Sequence, residues 1–268
     1  MVKSKKLTVL KIGGKVLDNQ DDLSKIVAAF SQIKNKKILV HGGGKKVDTV
    51  LQQLGIEKKY INGRRVTDEG TLDVVTMVLS GLVNSQVVAL LQKNDINAIG
   101  LTGADLNIIQ CNKREIIEFD YGFAGDIEKI NVQQLLTFLD QNIVPVICPI
   151  THNKQGQLLN TNADTIAQAV AVNIAQSGQY EVELIYCFEL EGVYEDLSKP
   201  ETHIQNLNQQ QYQSYKDAGV ITDGMLPKLD NCFDALNAGV NKVIISNVAQ
   251  IQNHIKGKNA HVTQITLQ

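Results

Sequence analysis

Short apolar runs rich in β-branched residues alternate along this chain with segments in which apolar residues recur every three to four positions. The first pattern reads as buried strands and the second as one face of a helix. Ile38, Leu39 and Val40 form such a run, and Val47, Val50, Leu51 and Leu54 form such a face, ended by Gly55. Between them stands His41-Gly42-Gly43-Gly44. The same order occurs earlier. A strand at 7–12 runs into Gly13-Gly14-Lys15, and Leu23, Ile26, Val27, Phe30 and Ile33 then lie on one helical stripe.

The pattern continues with a loop at 62–67, where Thr67 is a candidate N-cap, and a helix from about 71 to 94. That helix is apolar on more than one face, which predicts packing on two sides. Strands are predicted at 99–101, 143–148, 184–188, 243–245 and 262–267, and a hairpin within 108–121 turning at Asn112-Lys113-Arg114. Pro145 indicates irregular or edge pairing for its strand. Helices are predicted from Asn131 to Leu139, behind Asp164 (Ala167, Val170, Ala171, Ile174, Ala175) and behind Lys228 (Leu229, Cys232, Phe233, Leu236). The polar, Gln-rich stretch 200–214 reads as surface. Strands alternating with helices predict an α/β fold with a mainly parallel sheet. A chain of 268 residues suits one large domain or two lobes, and the polar segment 176–181 divides it into 1–178 and 179–268.

Composition narrows the picture by exclusion. The formal net charge is −2 and no basic block stands out, so nothing points to nucleic acid or an anionic membrane surface. Cys111, Cys148, Cys187 and Cys232 are far apart and read as reduced core thiols of a cytoplasmic protein. The five histidines are scattered, and no metal cluster is visible. No signal peptide is recognised and no stretch approaches a membrane span.

The chemistry lies in the turns. A strand that passes through glycines into a helix presents bare N–H groups and the positive end of the helix dipole, an anion site for phosphate or carboxylate. The alternative is a tight turn that needs only glycine torsions. Two such turns lie at strand carboxyl ends, where open α/β sheets bind ligands. Their spacing fits neither GxGxxG nor GxxxxGK[ST]. Lys11 ends an apolar strand beside glycines, and Lys228 follows Gly224 and Pro227 at a helix start, whereas Lys15, Lys45 and Lys46 read as surface. Asn160, Asn162 and Asp164 precede a buried helix, and capping it needs only one of them.

Lys11-Ile12-Gly13-Gly14, His41-Gly42-Gly43-Gly44, Gly63-Arg64-Arg65-Val66-Thr67, Asn160-Thr161-Asn162-Ala163-Asp164 and Ile221 to Lys228 follow one another in this order. Together they resemble the amino-acid kinase family, over nearly the whole chain, and the third and fourth elements resemble its acylglutamate kinase branch. The resemblance implies a three-layer αβα sandwich, with acyl amino acid on the N-lobe and nucleotide on the C-lobe. The implied reaction is ATP-dependent phosphorylation of the side-chain carboxylate of N-acetyl-L-glutamate, in arginine biosynthesis. N-succinylglutamate, carbamate and glutamate are the alternative acceptors. By resemblance Lys11, Lys228 and Asp164 are catalytic, and Gly43, Gly44, Arg65 and Asn160 hold the acylglutamate. ATP falls to Lys11, Gly13, Gly14, Glu189, Gly192, Val193, Asp223, Gly224, Met225 and Lys228. Magnesium arrives with ATP, and no dedicated protein metal site is expected. One departure concerns Cys187-Phe188-Glu189-Leu190-Glu191-Gly192, which stands where the family has a Thr-Asp or Ser-Asp pair, and Thr102-Gly103-Ala104-Asp105 differs as well. Arginine-inhibited relatives carry an added N-terminal helix. Here Met1 to Lys6 precede the first strand, fewer than two helical turns. The expectation is a homodimer insensitive to arginine, joined through the helix near 71–94.

Overall fold

The computed structural model describes residues 5–221 and 225–268. Strand β1 (Lys5–Ile12) leads through Gly13 into α1 (Gly14–Asp18) and α2 (Gln20–Ser31), and β2 (Lys36–His41) leads into α3 (Gly44–Gln53). A hairpin of β3 (Tyr60–Ile61) and β4 (Arg64–Arg65) follows. One helix of 25 residues then joins α4 (Glu69–Thr76), a π-helical segment (Met77–Val83) and α5 (Asn84–Lys93). The chain continues through β5 (Ala98–Leu101), β6 (Ile109–Lys113), β7 (Gly125–Ile130), α6 (Val132–Asp140), β8 (Val144–Ile147), β9 (Ile150–His152), β10 (Leu158–Asn160) and α7 (Ala163–Gln176). It ends with β11 (Tyr180–Cys187), β12 (Val193–Tyr194), β13 (His203–Ile204), β14 (Asn206–Asn208), α8 (Gln209–Asp217), α9 (Leu226–Asn237), β15 (Lys242–Ser246), α10 (Val248–Ile255) and β16 (Thr263–Thr266).

Eight strands form the central sheet in the order β14-β16-β15-β11-β1-β2-β8-β5. It is parallel from β15 to β5, and β16 runs antiparallel to β15. One apolar cluster on one face includes residues of α6, α7 and α9, and a second on the other face includes residues of α2, α3 and α5. This is the expected αβα sandwich, and β11 and β1 are its two central strands. Side chains alternate along a strand. Leu7 and Val9 therefore join the α7 face, Leu10 and Ile12 join the α2 face, and Lys11 falls on the α7 side. β11 pairs with β1 along its whole length, with Tyr186 opposite Lys11. The segments on either side of 176–181 thus share one sheet.

Several expectations are corrected. Asp68, not Thr67, caps the long helix, its carboxylate accepting from the Thr71 N–H at 2.8 Å. Thr67 is fully buried and bonds backbone to backbone with Tyr121 and Phe123. Asn112 and Lys113 lie inside β6, and the connection to β7 spans 114–124 instead of a tight turn at Arg114. Pro145 sits in β8, between β2 and β5, not at an edge. Pairing with β2 begins only at Val146, so the missing N–H of Pro145 disrupts no bond there. The stretch 200–214 holds the edge strand β14 and most of α8, with Leu207 and Tyr212 buried. The capping box of Asn208 and Gln211 was its sequence signal. By length and composition the helix Glu69–Lys93 could cross a membrane, contrary to the expectation from sequence. Val74, Val78, Val87 and Leu91 are instead buried in the protein's own core.

Candidate active site

The two glycine turns meet at the carboxyl ends of β1 and β2. The Gly42 N–H bonds the Ile12 carbonyl at 3.0 Å, and the Gly13 N–H bonds the Cys187 carbonyl at 3.2 Å. A Cβ on Gly14 would lie 3.7 Å from the Gly44 nitrogen and 3.8 Å from that of Gly43. The starts of α1 and α3 therefore lie side by side, and their opening N–H groups have no acceptor within their helices. Gly43 has φ of 136°, and a Cβ there would stand 2.7 Å from Leu79 Cδ2 on the π-helical segment. The torsion calls for glycine at this position, and any side chain there would also have to displace the Leu79 methyl.

His41 anchors the second turn from below. Its ring is fully buried, Nδ1 lies 2.8 Å from the Gly42 carbonyl, and Nε2 lies 3.0 Å from Asn84 Nδ2. The Asn84 amide also donates to the Val146 carbonyl. A neutral ring with its proton on Nδ1 satisfies every partner. Burial pushes its pKa down to about 4, opposed only by the Gly42 hydrogen bond.

Above the turns, Lys11 Nζ lies 2.7 Å from Asp164 Oδ1, and both side chains are largely buried. That oxygen makes the close charge contact without hydrogen-bond angles and has no hydrogen-bond partner among the described residues. Asp164 is placed by the first turn of α7, whose N-cap Asn162 accepts from the Asp164 and Thr165 N–H groups. Lys228 enters from the first turn of α9. Desolvation lowers its pKa, Asp164 raises it, and Lys11 lowers it. Asp164 thus pairs directly with Lys11 and acts electrostatically on Lys228. Lys15 and Lys45 are exposed, in keeping with their surface reading.

A cavity of about 230 Å³ opens beside Gly42, Gly43 and Gly44, with Arg65 and Asn160 in its wall. It is smaller than the roughly 300 Å³ at which pockets for drug-sized ligands begin, a size for a small metabolite. Arg65 donates to Asp48 Oδ1 at 2.8 Å and to the Gly44 carbonyl at 2.9 Å, and it stacks 4.9 Å from the Tyr60 ring centroid. The Tyr60 hydroxyl in turn bonds both Asp48 oxygens. Two of the five guanidinium donors are thereby used to fix the fork, and the others remain for a ligand. Asn160 Nδ2 donates to Thr67 Oγ1 at 3.0 Å, which leaves its carbonyl oxygen to accept. Arg64 is exposed at the cavity mouth.

A second cavity, of about 360 Å³, is lined by Gly192, Val193 and Met225 among others. A Cβ on Gly192 would clash with Thr263 Oγ1 and His203 Nε2, so glycine lets this loop pack onto β16. Glu189 lies outside this cavity and pairs with Lys15 at 2.5 Å, both exposed. Asp223 and Gly224 lie outside the described residues.

Sequence reasoning missed Asp48, Tyr60, Asn84 and Arg114, which act on or line the site through tertiary contacts. Arg114, taken for a turn residue, reaches the first cavity and is gripped by Asp126 in a two-pronged pair that raises its pKa.

The profile of the amino acid kinase family matches residues 6–247. The chain is 49% identical to the acetylglutamate kinase of Cytophaga hutchinsonii over 241 residues, 90% of either chain. It is 48% identical to that of Bacteroides fragilis, over 92% of this chain and 94% of that one. Among solved structures it resembles N-acetylglutamate synthase from Neisseria gonorrhoeae, complexed with coenzyme A and N-acetyl-glutamate. There the TM-score is 0.84 at 25% identity, over 98% of this chain and 60% of that one. Carbamate kinase from Giardia lamblia, at 15% identity and a TM-score of 0.68 over 98% and 99%, shares the fold. With its sheet order, paired glycine turns and full-length sequence match in agreement, the chain belongs to the amino acid kinase family.

Proposed function

We propose that this protein is an acetylglutamate kinase. It transfers the γ-phosphoryl group of ATP to the side-chain carboxylate of N-acetyl-L-glutamate, a step of arginine biosynthesis. The observation that carries the reading is the Lys11–Asp164–Lys228 cluster beside a small cavity walled by Arg65 and Asn160. The curated relatives' shared name supports the same acceptor.

The acceptor carboxylate, with a pKa near 4.3, is ionised at neutral pH and needs no general base. One of its oxygens attacks the γ-phosphorus, the bond to the β–γ bridging oxygen breaks, and ADP leaves with that electron pair. The obstacle is repulsion between anions, so catalysis consists of positioning and charge neutralisation. Lys11 and Lys228 neutralise the transferring group from two sides. Asp164 holds the two ammonium groups apart and in place. The amides of Gly14, Gly43 and Gly44 donate to phosphoryl and carboxylate oxygens. Arg65 clamps the α-carboxylate with its remaining donors, and the Asn160 carbonyl accepts from the acylamide N–H. The N-terminal part, 1–178, receives the acylglutamate. The C-terminal part, 179–268, receives ATP, whose base and ribose take the cavity at Gly192, Val193 and Met225. Magnesium enters as the counter-ion of ATP and keeps much of its water. The four cysteines are free and buried, which suits a cytoplasmic setting.

Coupled ADP release should be strong with N-acetylglutamate and weak with N-succinylglutamate, glutamate, aspartate and bicarbonate plus ammonia. In the same panel Arg65→Lys should raise the Michaelis constant for N-acetylglutamate about tenfold or more, because an ammonium cannot reproduce two parallel bonds. That for ATP should stay nearly unchanged. A preference for another acceptor overturns the assignment, and equal effects on both substrates make Arg65 structural.

The reading includes a homodimer. The long helix leaves Met77 59% and Leu82 41% exposed, on a side its own core does not cover. A two-fold contact between two such helices buries both residues in each copy. Light scattering should give about twice the 29.5 kDa chain mass, and Met77→Asp with Leu82→Asp should give the monomer. A wild-type mass of one chain excludes this contact.

A further inference from the structure

Phe188 follows the last residue of β11, and its N–H continues the sheet by bonding the Ser246 carbonyl at 2.8 Å. Its ring stacks on Tyr186 with centroids 5.6 Å apart and planes 6° from parallel. Tyr186 donates its hydroxyl to the Asp164 carbonyl at 3.2 Å. The ring is therefore held from beneath by a residue that also holds the segment carrying Asp164. Lys228 Nζ lies over the Phe188 ring 4.1 Å from its centroid, and Lys11 Nζ lies over it at 5.1 Å. Both lysines assigned to the transferring phosphoryl thus meet at one aromatic ring.

We propose that Phe188 is a positioning residue for the kinase reaction, a neutral platform that holds the Lys11 and Lys228 ammonium groups at the site of phosphoryl transfer. The inference rests on the kinase reading for its catalytic meaning, but its physical core is the contact of two cations with one ring.

The charge arrangement explains why a ring serves here. Among the described residues, the charged groups acting on Lys228 are Asp164 of α7, Lys11 of β1, Lys15 of α1 and Glu189 of the loop after β11. Lys11 and Lys228 repel each other, Glu189 is paired with Lys15, and Asp164 offsets only one of the two. A second carboxylate in this place would bind the lysines firmly but would repel the incoming polyphosphate. The face of an aromatic ring attracts a cation through its quadrupole and carries no net charge. It also has no lone pair aimed at the ammonium protons, so phosphate oxygens outcompete it with charge-assisted hydrogen bonds. The ring holds the lysines in the free enzyme and yields them to the nucleotide.

The test compares Phe188→Leu, which keeps an apolar side chain without the ring, with Phe188→Tyr, which keeps the ring. The lysine side chains are labelled with carbon-13 and titrated by NMR, and turnover is measured across the alkaline range. Removing the ring withdraws support from the ammonium form. The midpoint for Lys228 should therefore fall in Phe188→Leu by about half a pH unit or more. Turnover should fall about tenfold at a nearly unchanged Michaelis constant for ATP, and its alkaline limb should move down by the same interval. Phe188→Tyr should restore both. An unshifted titration in Phe188→Leu, or equal damage in the two variants, overturns the proposal, because a packing role moves thermal stability without moving the titration. If Phe188→Leu fails to fold, progressive fluorination of the ring at this position weakens its quadrupole at nearly constant size. The lysine midpoint should then fall with each fluorine, and a flat series also overturns the proposal. Absence of kinase activity in the wild-type protein would refute the functional reading, while the titration still decides the role of the ring.

Discussion

Lys228→Ala lowers turnover about 100-fold or more, the loss seen when one donor to a transition-state anion is removed, and leaves the Michaelis constant for ATP within a few-fold. The asymmetry follows from where the charge develops. In the ground state the γ-phosphoryl is one of several phosphate groups that backbone amides and other side chains hold. During transfer, charge develops on the phosphoryl oxygens, which in the proposed mechanism Lys11 and Lys228 neutralise. Burial already disfavours the charged form of Lys228, so its ammonium is less hydrated than that of a surface lysine. A poorly hydrated cation interacts more strongly than a solvated one. Lys11→Ala should match this loss. It also leaves the buried Asp164 carboxylate without its close cation, so its melting temperature should fall where that of Lys228→Ala changes less. Steady-state kinetics with N-acetylglutamate and ATP, beside a thermal melt of each variant, check both points. Turnover within a few-fold of wild type in either variant would remove that lysine from the transition state.

Acid should destabilise the protein through one buried ring. His41 has its pKa lowered to about 4 in the folded chain, against about 6.5 when unfolded. A depressed folded value means that the unfolded chain binds the proton first. The contribution is fully present above about pH 6.5, falls as the pH drops, and levels off below about pH 4. Two to three pKa units correspond to about 3 kcal/mol, a large share of a typical folding stability of roughly 5–15 kcal/mol. The geometry gives the reason, since a charged ring would present a second N–H to the donor amide of Asn84 while shut off from bulk solvent. Urea unfolding of wild type and of His41→Asn between pH 7 and pH 4 isolates this ring from the ordinary carboxylates. The wild-type stability should fall more steeply than that of the variant. Parallel curves would show that His41 does not carry the acid sensitivity.

Much of this architecture was legible along the chain because its cause is local. Short apolar runs and helical stripes placed β1, β2, α2, α3, α7 and α9. A glycine turn has a local signature, since its torsions and bare amides belong to the residues themselves. Strand parity even bears on Lys11. Two residues past Val9, it shares that residue's face of the sheet, and only the helix waiting on that face was hidden.

Where legibility failed, the deciding contact came from far away in sequence. Leu207 and Tyr212 lie in a polar stretch whose composition says surface, and they are buried because β16 and α9 cover them. Pro145 reads as an edge residue by itself, and the late start of pairing with β2 makes an inner strand tolerable. The long helix has the length and composition of a membrane span, and the sheet and α3 that occupy its inner face make it a core helix.

The sequence alone determined which residues could carry chemistry: a lysine at a strand end, two glycine turns, an arginine in a loop and an acid at a helix start. Tertiary structure decided which of them meet and what restrains them. Lys11, Asp164 and Lys228 are spread over most of the chain, and β1, α7 and α9 bring them to one point. Asp48 and Tyr60 fix Arg65, Asn84 fixes His41, and Phe188 lies beneath both lysines. Such partners have no periodicity to betray them, because distance in space between elements is set by packing and not by position along the chain.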